Sequence, residues 1–206
     1  STVGATLTDN HFTNVTGIEA ITLTTGANSL TTGASFNTAV DTAVTITDGI
    51  TAATNVATFA MGLTTDNITI NSIGGAATGA VTEDVNITTG SGDDTVTYSA
   101  TGWVGVAGAS GELNISTGAG DDTISVTQGT LLAVTGVQSS IITGGTGADT
   151  ITSVHINAAS GLTASFNFAA GDSIVTGYDK ITGYDLATAS LFSDKLDFSG
   201  TAPVGT

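Results

Sequence analysis

The stretch Thr89-Gly90-Ser91-Gly92-Asp93-Asp94-Thr95-Val96 returns without gaps as Thr117-Gly118-Ala119-Gly120-Asp121-Asp122-Thr123-Ile124 and as Gly144-Gly145-Thr146-Gly147-Ala148-Asp149-Thr150-Ile151. The aspartates Asp94, Asp122 and Asp149 lie 28 and 27 residues apart. Each copy follows a strand-like run (Val85–Ile87, Leu113–Ile115, Ile141–Ile142) and precedes another (Val96–Tyr98, Ile124–Val126, Ile151–Val154). A turn that recurs at a fixed interval between strands marks a stack of coils, because one coil cannot bury its apolar face alone and its neighbours can.

The rest of the chain fits that reading. Thr, Val and Ile dominate and strong helix formers are scarce, which suits a pleated surface. Ile21-Thr-Leu23, Val44-Thr-Ile46, Ile68-Thr-Ile70, Val85-Asn-Ile87, Leu113-Asn-Ile115, Ile141-Ile142 and Phe166-Asn-Phe168 read as short strands. Their starts are 23, 24, 17, 28, 28 and 25 residues apart, a solenoid period. The predicted class is all-β, a parallel β-solenoid (β-helix or β-roll). An antiparallel β-sandwich with hairpin turns is the alternative, and it competes most closely before residue 80. Five of the 18 acidic residues fall before that point and thirteen after it. The shift divides residues 1–80, a β-rich stacking segment without the Asp turn, from residues 81–206, with one continuous stack as the other division.

Composition excludes much. The 206 residues carry 2 Lys+Arg against 18 Asp+Glu, a formal net charge of −16. A chain without a basic patch cannot supply the phosphate contacts of nucleic-acid binding, nor bind anionic lipid directly. Zero Cys removes disulfides, thiol catalysis and zinc–thiolate sites. With 40% hydrophobic residues the chain has enough apolar material for a core. No apolar run is long enough for a membrane-spanning helix. The start at Ser1 and the end Pro203-Val204-Gly205-Thr206 suggest a piece of a longer protein.

The repeated turn has its own chemistry. Glycines at alternate positions permit positive φ and are expected to aim carbonyls inward. Carbonyls and carboxylates are hard oxygen ligands that suit Ca²⁺, with its six to eight flexible oxygen contacts. In a stack, successive aspartates lie one strand spacing apart, about 4.8 Å. Unpaired carboxylates that close repel. A divalent ion between coils removes the conflict and couples metal binding to folding. The competing reading is a plain Gly-Asp β-turn.

These segments resemble the G-x-G-x-D-x-U repeat of the RTX, or hemolysin-type, calcium-binding proteins. Asp94, Asp122 and Asp149 stand at the family's aspartate position, and Gly90/Gly92, Gly118/Gly120 and Gly145/Gly147 at its glycine positions. Asp93 and Asp121 adjoin them. The family runs its repeat in tandem, with two ion-binding turns per coil. Here one motif stands in each 27–28 residues, which implies ions on one side and longer turns opposite. Ala170-Gly171-Asp172-Ser173-Ile174 reads as a decayed fourth copy. Gly177-Tyr178-Asp179-Lys180-Ile181-Thr-Gly-Tyr184-Asp185 and Asp194-Lys195-Leu-Asp197-Phe198 resemble the segment that closes the calcium region in many type I secreted proteins, with a solvated cap as the alternative. Asp172 and Asp179 therefore join the candidate ligands. Thr24-Thr-Gly26-Ala-Asn28-Ser-Leu30 reads as a turn that has lost its carboxylate, and Val15–Leu23 is similar to an element of surface-layer and adhesin-like proteins.

No catalytic set stands out. His11 and His155 are far apart in sequence, and no G-x-S-x-G elbow is present. Glu83 and Glu112 read as ligands or solvated edge rather than a glycosidase pair. Trp103 and Tyr98 read as packed anchors, or as a stacking platform for a neutral glycan. The resemblance implies a non-enzymatic structural module that binds several Ca²⁺ ions. It implies type I secretion to the extracellular face of a Gram-negative-type bacterium and assembly with copies of itself in an S-layer. The alternatives are the calcium-binding tail of a secreted enzyme (protease, lipase or polysaccharide-modifying enzyme) and an adhesin module for a cell-surface glycan. Neither nucleic acid nor membrane insertion is expected.

Overall fold

The structure is a computed structural model. It describes residues 6–23, 29–50, 54–60, 67–74, 82–100, 110–128, 137–155, 162–169, 171–172, 177–184 and 194–199. The chain winds as a parallel β-solenoid in which each coil gives one strand to each of two sheets. Eight strands form one sheet, in spatial order β1 (Thr6–Leu7), β3 (Ser29–Thr31), β5 (Thr54–Ala60), β7 (Thr82–Thr88), β9 (Ser110–Ala119), β11 (Val137–Thr146), β13 (Leu162–Ala169) and β15 (Lys195–Ser199). Seven form the other: β2 (Ile18–Leu23), β4 (Val40–Ile50), β6 (Asn67–Gly74), β8 (Thr95–Ala100), β10 (Thr123–Gln128), β12 (Thr150–His155) and β14 (Lys180–Thr182).

Every strand pairs in parallel, including β1 with β3 and β2 with β4, so the sandwich expected as an alternative for the first third is set aside. Both sheets run through residue 80, where β5 pairs with β7 and β6 with β8.

The alternating runs explain the stack. Val44, Ile68, Val96, Ile124 and Ile151 stand in register in one sheet, all buried. Ile87, Ile115, Ile142 and Phe166 do the same in the other. Each such side chain contributes about 1.5–3 kcal/mol by leaving water. The column holds across coils of 28 and 27 residues because the odd residue falls between strands and each strand re-enters in register; a one-residue slip within a strand would turn its apolar set outward.

Two helical turns interrupt the pattern near the N-terminus. A 3-10 helix (Asp9–Phe12) joins β1 to β2, and α1 (Ala34–Ala39) joins β3 to β4. The strand-rich reading did not anticipate them. Phe12 and Phe36 meet edge to face, with ring centroids 4.9 Å apart, and close that end of the core. Asp9 holds the two turns together by accepting the backbone N–H groups of Ser35 (3.1 Å) and Phe36 (2.9 Å) at the start of α1. Among the described residues no helix is long and apolar enough to cross a membrane.

Candidate metal centre

The three repeated turns lead from β7 to β8, from β9 to β10 and from β11 to β12, so they lie on one edge of the stack. Gly92, Gly118, Gly120, Gly145 and Gly147 adopt positive φ, between 100° and 138°, while Gly90 does not. The Gly90 carbonyl, which the sequence reading aimed inward, runs along the stack and accepts the Ala119 N–H of the next coil at 3.3 Å. A methyl group added at Gly118 would overlap the Gly90 carbonyl oxygen, and one at Gly120 the Gly92 oxygen. Gly145 stands in the same relation to Gly118, and Gly147 to Gly120. Two files of glycine thus let the backbones of successive turns approach too closely for any side chain.

Asp94, Asp122 and Asp149 are buried, each only 1% exposed. They form a directed ladder. Oδ1 of Asp122 accepts the backbone N–H of Asp94 at 2.8 Å, and Oδ1 of Asp149 accepts that of Asp122 at 2.9 Å. Asp179 continues the file by accepting the N–H of Asp149 at 3.0 Å. A second ladder on the exposed side runs the other way. Oδ1 of Asp93 accepts from Asp121 N–H, and Oδ1 of Asp121 from Ala148 N–H, each at 2.9 Å. Neighbouring carboxylates are therefore separated by backbone amides, which relieves part of the repulsion anticipated from spacing alone.

The fourth rung is Asp179, not Asp172. Lys180 pairs with Thr150, which places Gly177-Tyr178-Asp179 beside Gly147-Ala148-Asp149. Asp172 is buried, but its Oδ2 accepts the N–H of Ala169 within its own turn. The visible signal was G-x-D-x-I at Gly177–Ile181, thirty residues after Asp149's copy.

Thr89 and Thr117 were missed by the sequence reading. Their hydroxyls donate to the carbonyls of Thr117 and Gly144, both at 2.8 Å, and so stitch successive coils. The only sign was a Thr before the first Gly in two of the three copies. Trp103 and Asp185, and residues 24–28 of the Thr24–Leu30 segment, lie outside the described residues.

One oxygen of Asp122 and one of Asp149 remain to be accounted for. Oδ2 of Asp122 and of Asp149 is buried and accepts no hydrogen bond. The Thr117 hydroxyl lies near Asp122 and opposes its shift, yet its proton is directed at the Gly144 carbonyl. Burial pushes Asp149 up to about 6, the backbone amide of Asp122 opposing it and the charges of Asp179, Asp122 and Asp121 adding to it. Burial also raises Asp122 and Asp179. A buried carboxylate with an orphaned oxygen is costly unless a proton or a cation compensates it.

The donors near this file are carboxylate and carbonyl oxygens, a set that fits a hard cation such as Ca²⁺. Among the described residues no three His, Cys, Asp or Glu side chains converge on one point. An ion on this edge would therefore draw part of its shell from backbone carbonyls. No family model, curated protein or solved structure matches this chain.

Proposed function

We propose that this chain is a calcium-dependent structural module of an extracellular bacterial surface protein, of the RTX type, whose repeated Asp turns are closed by Ca²⁺. The carrying observation is the file of buried aspartates in which Oδ2 of Asp122 and of Asp149 accepts no hydrogen bond. In this reading Asp94, Asp122, Asp149 and Asp179 supply carboxylate oxygens. In the same reading the carbonyls of Gly90, Gly92, Gly118, Gly120, Gly145 and Gly147 are the backbone oxygens available to complete the shell, with Asp93 and Asp121 as further carboxylates. Bound Ca²⁺ supplies the positive charge that the file lacks.

The reading also explains the composition. At −16 the chain repels itself when compact, so a low-calcium compartment favours the extended form that export requires. Calcium outside stabilises the folded form by mass action, because the unfolded chain has no assembled site. A continuous stack of parallel coils suits a lattice-forming S-layer component.

The test is a calcium titration of the chelator-treated chain followed by far-UV circular dichroism, with magnesium as control. The expected result is a much reduced β signal that recovers cooperatively with calcium and far less with magnesium. An unchanged β spectrum and melting temperature in chelator would overturn the calcium role. Electron microscopy of the calcium-loaded, full-length protein tests the lattice, which ordered arrays support and isolated particles oppose.

A further inference from the structure

The column Ile87–Ile115–Ile142–Phe166 ends on Leu196, the residue of β15 paired with Phe166. Its buried predecessors are at most 2% exposed, whereas Leu196 is 44% exposed. Phe198, paired with Phe168 and stacked on it with centroids 5.3 Å apart, is 67% exposed. The core-facing side of the last strand therefore carries two large apolar groups in water. Among the described residues β15 is the last strand of its sheet, paired with β13 on one side. An edge with exposed apolar residues is a template for another strand.

We propose that β15 pairs antiparallel with β15 of a second copy, joining two solenoids tail to tail. The strand is Lys195-Leu196-Asp197-Phe198-Ser199, and its charges select the register. Antiparallel pairing centred on Leu196 sets Lys195 opposite the partner's Asp197, twice by symmetry, with Leu196 opposite its own copy. Opposite charges so placed stabilise a strand pair, and like charges destabilise it. Lysine on an edge strand ordinarily blocks pairing. Here Asp197, two residues on and on the same face, supplies its complement. Lys195 is one of only two basic residues in the chain. With Asp197 it makes β15 neutral, so this is where two copies of a −16 chain approach at least electrostatic cost.

A self-complementary strand gives a closed two-fold contact. The proposal rests on the reading above only in that the module assembles with copies of itself; strand pairing needs no ion.

The test is sedimentation velocity of the calcium-loaded chain over a concentration series. The wild type is expected to form a dimer as its first associated species. Lys195→Asp and Asp197→Lys should each weaken association at least tenfold, and the double reversal should restore it. The chain has no cysteine, so Leu196→Cys gives one probe. Directly opposed residues bring Cβ atoms to about 5 Å, close to disulfide reach. Mild oxidation should link Leu196→Cys chains but not Thr123→Cys chains, Thr123 being exposed on the other sheet. A monomer at every concentration, charge reversals without effect on association, or no disulfide between Leu196→Cys chains would overturn the proposal. A folded monomer in calcium removes this interface alone. A chain that folds alike in chelator removes the calcium reading and leaves the interface to be judged by mass and crosslinking.

Discussion

The turns within residues 9–39 and those within residues 89–179 close the same edge of one stack by opposite means. In the first region Asp9 spans two coils to accept two amides at the start of α1, and Phe12 packs on Phe36. The amide of Phe36, more than any other group, holds the Asp9 carboxyl below the usual carboxylate range. In the second, Asp122 and Asp149 also accept an amide from a neighbouring coil, yet burial raises both. The same residue type makes the same bond with opposite electrostatic results. Asp9 is partly exposed with both oxygens engaged, while Asp122 and Asp149 are buried with one oxygen engaged. The orphaned buried oxygen of the first region, Asn37 Oδ1, belongs to a neutral amide, whereas those of Asp122 and Asp149 belong to carboxyl groups whose charge the second region's own residues do not neutralise.

The largest expected effect breaks the first region. Phe36→Ala removes a fully buried ring and should cost about 3–5 kcal/mol. The loss should be the same in calcium and in chelator, as read by thermal melting. A loss seen only in chelator would show that the N-terminal turns also depend on the ion.

Gly147→Ala tests the second region through its backbone. It puts a methyl group against the Gly120 carbonyl at a φ of 137°, and should cost about 3 kcal/mol. Gly33→Ala is the matched control. Its methyl would meet the hydrogen-bonded carboxyl of Asp9 at 3.1 Å, which asks for a shift of a few tenths of an ångström rather than a backbone overlap at positive φ, so its loss should be smaller. Equal losses would deny that close backbone stacking distinguishes the Asp turns.

Asp122→Asn and Asp122→Ala separate the amide bond from the charge. Alanine leaves the buried N–H of Asp94 without its acceptor and should cost about 1–3 kcal/mol in either condition. Asparagine keeps an acceptor and removes the charge. Without metal it should melt higher than wild type, by about 2–4 °C for each kcal/mol gained, while losing most of the calcium-dependent gain. Full retention of that gain would remove Asp122 from the ligand set.

The smallest effect is in pH. For Asp149, the folded state holds a proton between its ordinary value near 3.8 and about 6, where the unfolded state has lost it. Metal-free stability contributed by this group is therefore greatest below that window and falls as pH rises through it. Asp149→Asn should flatten that part of a chelator-treated melting profile. Asp9 runs in the opposite sense: its contribution is present above its ordinary value and is lost as pH falls through its lowered folded value.

The stack was legible because three gapless copies fixed the coil interval and each Val or Ile after the Asp-Thr pair marked a return to the core. All seven apolar runs read from the sequence fall within strands, from β2 to β13. The helical turns were not legible. The residues Ala34–Ala39 have weak helix propensity, and their N-terminus is satisfied by Asp9, distant in sequence. The inner aspartates were found by repetition. The direction of their ladder, and the place of Asp172 within its own turn rather than on the ladder, depend on register between coils, which spacing alone does not specify.

Amide hydrogen exchange read by mass spectrometry, in calcium and in chelator, tests the contrast most directly. The account expects removal of calcium to strip protection from β8, β10, β12 and β14, while β2, β4 and β6 keep most of theirs. Unchanged protection in β8 to β12, or equal loss at both ends, would contradict it.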